Sequence, residues 1–201
     1  DGDMDSRDIL TIKGLIRRGE ARTASSYNNI PLDRVHFLDL PFYETGKIQK
    51  NPISEADVEI VRNLLREIKP HQIFVAGDLA DPHGTHRVCT DAVFAAVDLE
   101  KEEGAKWLKD CRIWMYRGAW AEWEIENIEM AVPISPEELR AKRNSILKHQ
   151  SQMESAPFLG NDERLFWQRS EDRNRGTATL YDQLGLASYE AMEAFVEYIP
   201  L

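Results

Sequence analysis

Residues 71–87 read His-Gln-Ile-Phe-Val-Ala-Gly-Asp-Leu-Ala-Asp-Pro-His-Gly-Thr-His-Arg. The short apolar run that opens this stretch predicts a buried strand at 71–76. The helical pattern from about Thr85 to Glu102 predicts the helix that follows it. Ligands in open α/β sheets bind beyond the carboxyl ends of the strands, at turns of this kind. The stretch therefore predicts an α/β fold and also a place for a functional site.

Two of the five histidines of the chain, His83 and His86, fall within this turn. A spacing of three residues places both imidazoles on one side of a first helical turn. A metal site or a catalytic pair fits this arrangement, and so does a helix cap beside a surface histidine. A catalytic zinc ion usually has three protein ligands, so the others would have to come from elsewhere in the chain.

Composition limits the classes of protein to which the chain can belong. With 201 residues, 42% of them hydrophobic, it can form one domain with a sizeable core. The net charge of −10 argues against a nucleic-acid partner or an anionic membrane. No apolar run approaches the ~20 residues of a membrane span. We interpret Cys89 and Cys111 as buried free thiols and, in the absence of a signal peptide, expect a cytoplasmic protein.

Strand and helix patterns alternate, which predicts a Rossmann-like parallel sheet with helices on both faces. Strands are predicted at 34–40, 71–76 and 111–117, parallel and adjacent, with an edge strand at 128–134. Further helices are predicted around residues 9–16, 54–69, 135–152, 167 and 188–198. Residues 119–201 would then be the C-terminal helical part of a single domain spanning 1–201. So few strands indicate a small domain or one that lacks its first βα unit.

Four stretches of the chain resemble the motifs of one enzyme family. They are Arg17-Arg-Gly-Glu-Ala21, Val35-His-Phe-Leu-Asp-Leu-Pro41, Asp81-Pro-His-Gly-Thr-His86 and Lys148-His-Gln-Ser-Gln152. They resemble, in order, the Arg-x-x-Glu-Ala helix, the following strand, the His-x-x-His loop and the late His-x-Ser-Gln helix of the LmbE-like, PIG-L-type zinc-dependent N-deacetylases. The last third of the chain also resembles a domain fused behind a glucosamine-6-phosphate deaminase-like domain in some bacterial proteins.

The resemblance implies roles for the residues of the turn. His86 would be a zinc ligand, and His83 would polarise the substrate or handle a proton. Asp81 would orient a histidine through a hydrogen bond, or simply cap the helix. His149 would approach the same cleft from the later helix, with a core histidine as the alternative.

Arginines and tryptophans add candidates for substrate binding. Arg17 and Arg87 would bind a carboxylate, a phosphate or a sugar hydroxyl, with solvated surface as the alternative. Trp120 and Trp123 could line a sugar site, although aromatic packing explains them as well.

The family's other zinc ligands and its general-base aspartate lie in an opening His-Pro-Asp-Asp-type motif, which this sequence lacks. We therefore expect a piece of a longer chain or a degenerate relative, which alone is inactive and binds zinc weakly or not at all. The implied reaction is zinc-assisted removal of an N-acetyl group from an amino sugar. The competing hypothesis is a non-catalytic sugar-binding or assembly domain attached to a deaminase-like enzyme. A homo-oligomer is compatible with either hypothesis.

Overall fold

A computed structural model describes residues 5–43, 51–77, 84–118, 121–153 and 164–200. The chain divides into two compact units. The first unit comprises residues 1–37, 119–121 and 132–193, and the second comprises residues 38–118, 122–131 and 194–201. The single domain at 1–201 stays a prediction.

Five α-helices and four strands make up the regular structure of the described residues. The helices are α1 (Arg7–Tyr27), α2 (Glu55–Ile68), α3 (Thr85–Glu102), α4 (Pro136–Ile146) and α5 (Phe166–Gln183). The strands are β1 (Gln72–Ala76), β2 (Arg112–Tyr116), β3 (Met130–Ile134) and β4 (Ala191–Tyr198). The helices predicted from the patterns at 9–16, 54–69 and 135–152 and around Trp167 are confirmed, although α4 ends at Ile146 and a short 3-10 helix follows at Gln150–Gln152.

The strands form one sheet in the order β1-β2-β4-β3. β1 and β2 are parallel, with Phe74 opposite Trp114. β2 and β4 are antiparallel, with Met115 opposite Val196. The α/β fold class is confirmed, as are the adjacent parallel strands at 71–76 and 111–117 and the edge strand at 128–134. A sheet that is parallel throughout is wrong, because β4 enters between β2 and β3 in the opposite direction to β2.

The strand predicted at 34–40 is absent from the structure. Leu32–Arg34 forms a 3-10 turn, and the residues after it have no regular structure. Asp39 has a φ of 51°, a left-handed conformation that interrupts an extended chain. Leu38 and Leu40 nevertheless pack against the core of the second unit. The apolar pattern therefore predicted the burial of these side chains correctly, but the extended backbone that it predicted is wrong.

The last helix, predicted at 188–198, is also wrong, because Ala191–Tyr198 forms β4. Its Ala, Met and Glu residues favour a helix when they are considered locally. In the folded chain this segment is an interior strand whose backbone pairs with a neighbour, and that tertiary context outweighs the propensity.

In the second unit, α2 and α3 pack against each other beside the sheet. Ser54 caps α2 and forms a capping box with Asp57. Between the helices, Glu100 is 3% exposed and accepts hydrogen bonds from Arg62 at 2.6 Å and Arg66 at 2.7 Å. The core beneath contains Val58, Val61, Leu65, Val75, Ala92, Ala96, Val97 and Ile113.

In the first unit, α1 and α5 both contact α4. The C-terminal end of α1 is held where Asn28 donates a hydrogen bond to Ser145 at 2.7 Å. The apolar residues in the first half of α1 are between 39% and 62% exposed, so this half contributes little to the core. These residues are Ile9, Leu10, Ile12, Leu15 and Ile16.

Two expectations about the setting of the protein can be compared with the structure. Both cysteines are free, as predicted, but Cys89 is exposed and Cys111 is half-buried, so their predicted burial is wrong. Among the residues that the structure describes, no helix combines the length and the apolar character needed to cross a lipid bilayer.

Gly77 lies at the carboxyl end of β1 in a place that has no room for a side chain. A Cβ there would be 2.5 Å from the Trp123 ring and 2.9 Å from the Met115 Cβ. Gly77→Ala should therefore lower the free energy of unfolding by roughly 1–3 kcal/mol, the usual cost of overpacking. The matched control is Gly19→Ala in α1, where a Cβ meets nothing within 4 Å and helix propensity should raise stability by about 0.5–1 kcal/mol. Urea denaturation of both variants measures the contrast, and an equally stable Gly77→Ala protein would contradict it.

Candidate functional site

Four of the six predicted site residues lie in the described part of the chain. Arg17 and His149 belong to the first unit, whereas His86 and Arg87 belong to the second. Asp81 and His83 lie outside the described residues, so their roles stay predictions.

His86 and Arg87 are exposed in the first turn of α3. Gly84 precedes this helix with a φ of 66°, a left-handed conformation that suits glycine. One turn after His86, the Thr90 hydroxyl donates a hydrogen bond to the Ala76 carbonyl at 2.7 Å. This bond ties the start of α3 to the carboxyl end of β1, where ligands bind in α/β sheets. The described ends of the predicted turn, β1 and α3, are therefore tied together, and His86 is exposed to solvent. That a functional site lies here stays a prediction.

Arg87 forms an ion pair along the surface of its own helix. Its Nε lies 3.9 Å from the carboxylate of Asp91, and both side chains are at least half exposed. Such an exposed pair contributes little to stability, so a ligand with a carboxylate or phosphate group could replace it at small cost.

A zinc site requires several ligands within one small volume. Among the residues that the structure describes, no group of three His, Cys, Asp or Glu side chains is arranged to hold a metal ion. These residues therefore do not by themselves form a zinc site, and His86 would supply one ligand at most.

Trp123 is packed, as one of the two sequence interpretations has it. Its ring contacts the position where Gly77 lacks a side chain. On the ring lies the Arg117 guanidinium, whose central carbon is 4.0 Å from a ring centroid. A cation held this way on an indole is attractive by itself, so no bound sugar is needed to explain Trp123. Trp120 lies outside the described residues.

The first unit brings together two of the predicted motifs. Glu20, on α1, accepts a hydrogen bond from the Ser151 backbone N–H at 2.6 Å and another from the Ser151 hydroxyl at 2.6 Å. The Arg-x-x-Glu-Ala stretch and the His-x-Ser-Gln stretch are thus joined by a single carboxylate. Arg17 and His149, one from each motif, are both close enough to interact with its charge.

The surroundings of Glu20 keep it ionised. Partial burial alone would raise the pKa of its carboxyl group. The hydrogen bonds from Ser151 and the charges of His149 and Arg17 outweigh that effect, so the pKa lies below its ordinary value of 4.5. Near neutral pH the group is a carboxylate, an acceptor only.

Glu20 and Ser151 are the functional candidates that sequence reasoning passed over. Both stand inside the quoted motifs, but Arg17 and His149 are the residue types that are associated with binding and proton transfer. The sequence did contain a signal for this pair. One motif contains a carboxylate, Glu20, and the other, 131 residues away, contains a hydroxyl that can donate to it, Ser151.

The sequence matches one family of known proteins. The model of the PIG-L family, described as GlcNAc-PI de-N-acetylase, matches residues 1–97, slightly under half of the chain. This region contains α1, α2, β1 and most of α3. It also contains three of the four motifs.

Solved structures with the same fold cover the whole chain. The 4-carboxy-2-hydroxymuconate hydratase GalB of Pseudomonas putida superposes with a TM-score of 0.64 at 13% identity, over 100% of this chain and 77% of its own. The conserved protein TT1542 of Thermus thermophilus superposes with a TM-score of 0.56 at 18% identity, over 100% of this chain and 77% of its own. The N,N'-diacetylchitobiose deacetylase of Pyrococcus horikoshii superposes with a TM-score of 0.57 at 16% identity, over 100% of this chain and 67% of its own.

At these identities the structures establish the fold and leave the reaction open. The match to the family model is a match of sequence, and it covers the stretches on which the resemblance was first based, apart from the one at 148–152. The fused deaminase-like domain stays a prediction. The resemblance of this chain to the PIG-L-type, LmbE-like N-deacetylases is thereby confirmed, since the family model matches residues 1–97 and a deacetylase of 16% identity shares the fold over the whole chain.

Proposed function

We propose that this chain is part of an enzyme that removes an N-acetyl group from an amino sugar. The observation that carries the proposal is the double hydrogen bond between Glu20 and Ser151. It joins the one motif that lies beyond the family match to a motif within it. The charges of Arg17 and His149, one residue from each of these motifs, both act on the same carboxylate.

The fold by itself does not favour deacetylation over other additions of water. GalB, with a TM-score of 0.64, is a hydratase, whereas the Pyrococcus horikoshii protein is a deacetylase. Similar folds carry different reactions because function depends on the site. The family match over residues 1–97 therefore gives amide hydrolysis its support here.

The described residues suit complementary tasks in such a reaction. An imidazole such as that of His149 can pass a proton to the leaving amine. Arg17 is exposed on α1 and can bind a sugar hydroxyl or an anionic substituent. We propose the same class of role for Arg87 in the second unit, a proton-handling role for His83, and for Asp81 the orientation of a histidine through a hydrogen bond.

We also propose that the enzyme is zinc-dependent, with His86 as one ligand. The support for zinc is the family resemblance, since the described residues do not complete a site. His86 fits this role because it is an exposed imidazole at the carboxyl end of a parallel strand.

Release of acetate tests the proposal directly. The full-length protein, with one equivalent of Zn²⁺ added, should release acetate from N-acetylglucosamine or one of its phosphorylated or glycosidic derivatives, as followed by proton NMR. The matched control, His36→Ala, alters an exposed histidine and should be as active as the unmodified protein.

Saturable binding of amino sugars without any acetate release would overturn the enzyme proposal. That outcome would instead favour a sugar-binding or assembly domain.

A further inference from the structure

His149 lies in a part of the first unit that has little regular structure of its own. α4 ends at Ile146, and His149 precedes the 3-10 helix Gln150–Gln152. Its backbone forms only local bonds, donating to the Ile146 carbonyl at 3.0 Å and accepting from Gln152 N–H at 3.0 Å. Turns of this kind do not fix a side chain precisely enough for catalysis, so contacts from outside the segment have to do so.

Glu20 provides one of these contacts. Its two carboxylate oxygens accept from the N–H and the hydroxyl of Ser151, two residues after His149. Bonds in which the acceptor is ionised are roughly twice as strong as neutral ones. Paired bonds to adjacent donors also fix direction as well as distance, so Glu20 holds the turn in one orientation.

Tyr27 provides a contact on the other side of His149. The Lys148 Nζ lies 5.0 Å from the centroid of the Tyr27 ring, within the range of a cation–π interaction. The Tyr27 hydroxyl accepts from the Asn144 side chain at 3.0 Å, which fixes the ring against α4. Glu20 and Tyr27 are seven residues apart, about two helical turns, and so lie on the same face of α1. One face of α1 therefore contacts the chain on both sides of His149, at Lys148 and at Ser151.

From this arrangement we propose that Glu20 is the positioning residue for His149, acting through the Ser151 turn. The inference rests on the proposed function, in which His149 handles a proton. Glu20 need not touch the substrate for this role. Its substitution should disturb His149 even though α1 and α4 keep their other contacts.

Variants of Glu20 and Ser151 separate positioning of His149 from a simple effect of charge. Glu20→Gln removes the charge and replaces one acceptor oxygen by a donor. Ser151→Ala keeps the Glu20 charge and removes one of the two bonds, whereas Ser151→Thr keeps the hydroxyl. Asp8→Asn is the matched control, because it removes one acidic charge from the same helix about 18 Å away along the axis.

NMR of the purified chain gives the readout, with the His149 imidazole signals assigned by His149→Gln. We expect these signals to move in Glu20→Gln and in Ser151→Ala, and to stay in place in Ser151→Thr and Asp8→Asn. The Ser151 amide should exchange with solvent on the order of tenfold faster in Glu20→Gln, since it loses a bond to an ionised acceptor. In the full-length protein, Glu20→Gln should lower kcat for acetate release more than it changes KM.

The outcomes distinguish this inference from the proposed function. Unchanged His149 signals in Ser151→Ala would overturn it, even if Glu20→Gln moved them, because only charge would then connect Glu20 with His149. Normal kcat in Glu20→Gln would overturn it too. If no amino sugar yields acetate, the proposed function fails while the NMR comparison still decides whether Glu20 holds His149 in place.

Discussion

In a longer chain that carries an upstream His-Pro-Asp-Asp-type motif, His86→Ala should abolish both zinc retention and amide hydrolysis, whereas His83→Ala should keep the zinc and lower turnover by roughly 10²–10⁴-fold. The two effects differ because the proposed roles differ. Removing a metal ligand removes the metal, and the reaction goes with it. Removing a positioned acid or base leaves the metal and the bound substrate in place and slows only the proton transfer.

Zinc content after dialysis against a weak chelator, measured together with acetate release, checks this contrast. His36→Ala serves again as the control, since it changes an exposed histidine outside the turn. If His83→Ala lost the metal and His86→Ala retained it, the two assignments would be exchanged. If neither variant changed either property, the deacetylase proposal would fail.

The sequence predicted the centre of the fold well because local and tertiary preferences agree there. β1 is a short apolar run, α3 follows it with a helical pattern, and Gly84 stands where a left-handed residue is required. Each preference supports the same structure, and such consistency makes a segment predictable. The starts of α2 and α4 are further examples, since the predicted helices at 54–69 and 135–152 begin where Ser54 and Ser135 form capping boxes.

Prediction failed where pairing across the chain overrides the local preference. Residues 191–198 carry a mixture of Ala, Met and Glu that favours a helix, but they lie inside the sheet with partners far away in sequence. Residues 34–40 are apolar at the right places for a strand, but Asp39 adopts a left-handed conformation that no pattern of hydrophobicity reveals. The first error thus arises from pairing with a distant strand, and the second from the backbone conformation of a single residue.

In the candidate site, too, the sequence predicted some of the residues and missed others. Sequence reasoning selected Arg17 and His149, and the charges of both act on one carboxylate. It passed over that carboxylate, Glu20, and its partner Ser151, because Glu and Ser are common surface residues. Only their geometry, two bonds of 2.6 Å, distinguishes them.

A second large effect is expected in the buried polar cluster of the first unit. Glu193 accepts hydrogen bonds from Lys142 at 2.6 Å, from Asn174 at 3.0 Å and from Arg173, whose side chain is only 4% exposed. Glu193→Gln should lower the free energy of unfolding by about 3 kcal/mol, since it leaves two cations without their carboxylate in a buried place. Glu190→Gln is the matched control. It removes the partner of Arg175, but both of these side chains are more than a third exposed, so the loss should stay under about 1 kcal/mol. Equal losses in urea denaturation would show that burial is not the cause.

The stabilisation that Glu193 provides should depend on pH. Burial by itself would raise the pKa of Glu193, but the charges of Arg173 and Lys142 and their hydrogen bonds lower it below the ordinary value of 4.5. A group whose pKa is lower in the folded than in the unfolded protein contributes stability above the unfolded value, and that stability is lost as the pH falls through the folded value. The difference in unfolding free energy between the unmodified protein and Glu193→Gln should therefore be constant from pH 7 to about pH 5 and shrink below about 4.5. Urea denaturation series at pH 7, 5, 4 and 3 measure it. A difference that stayed constant down to pH 3 would mean that the charge of Glu193 does not stabilise the fold.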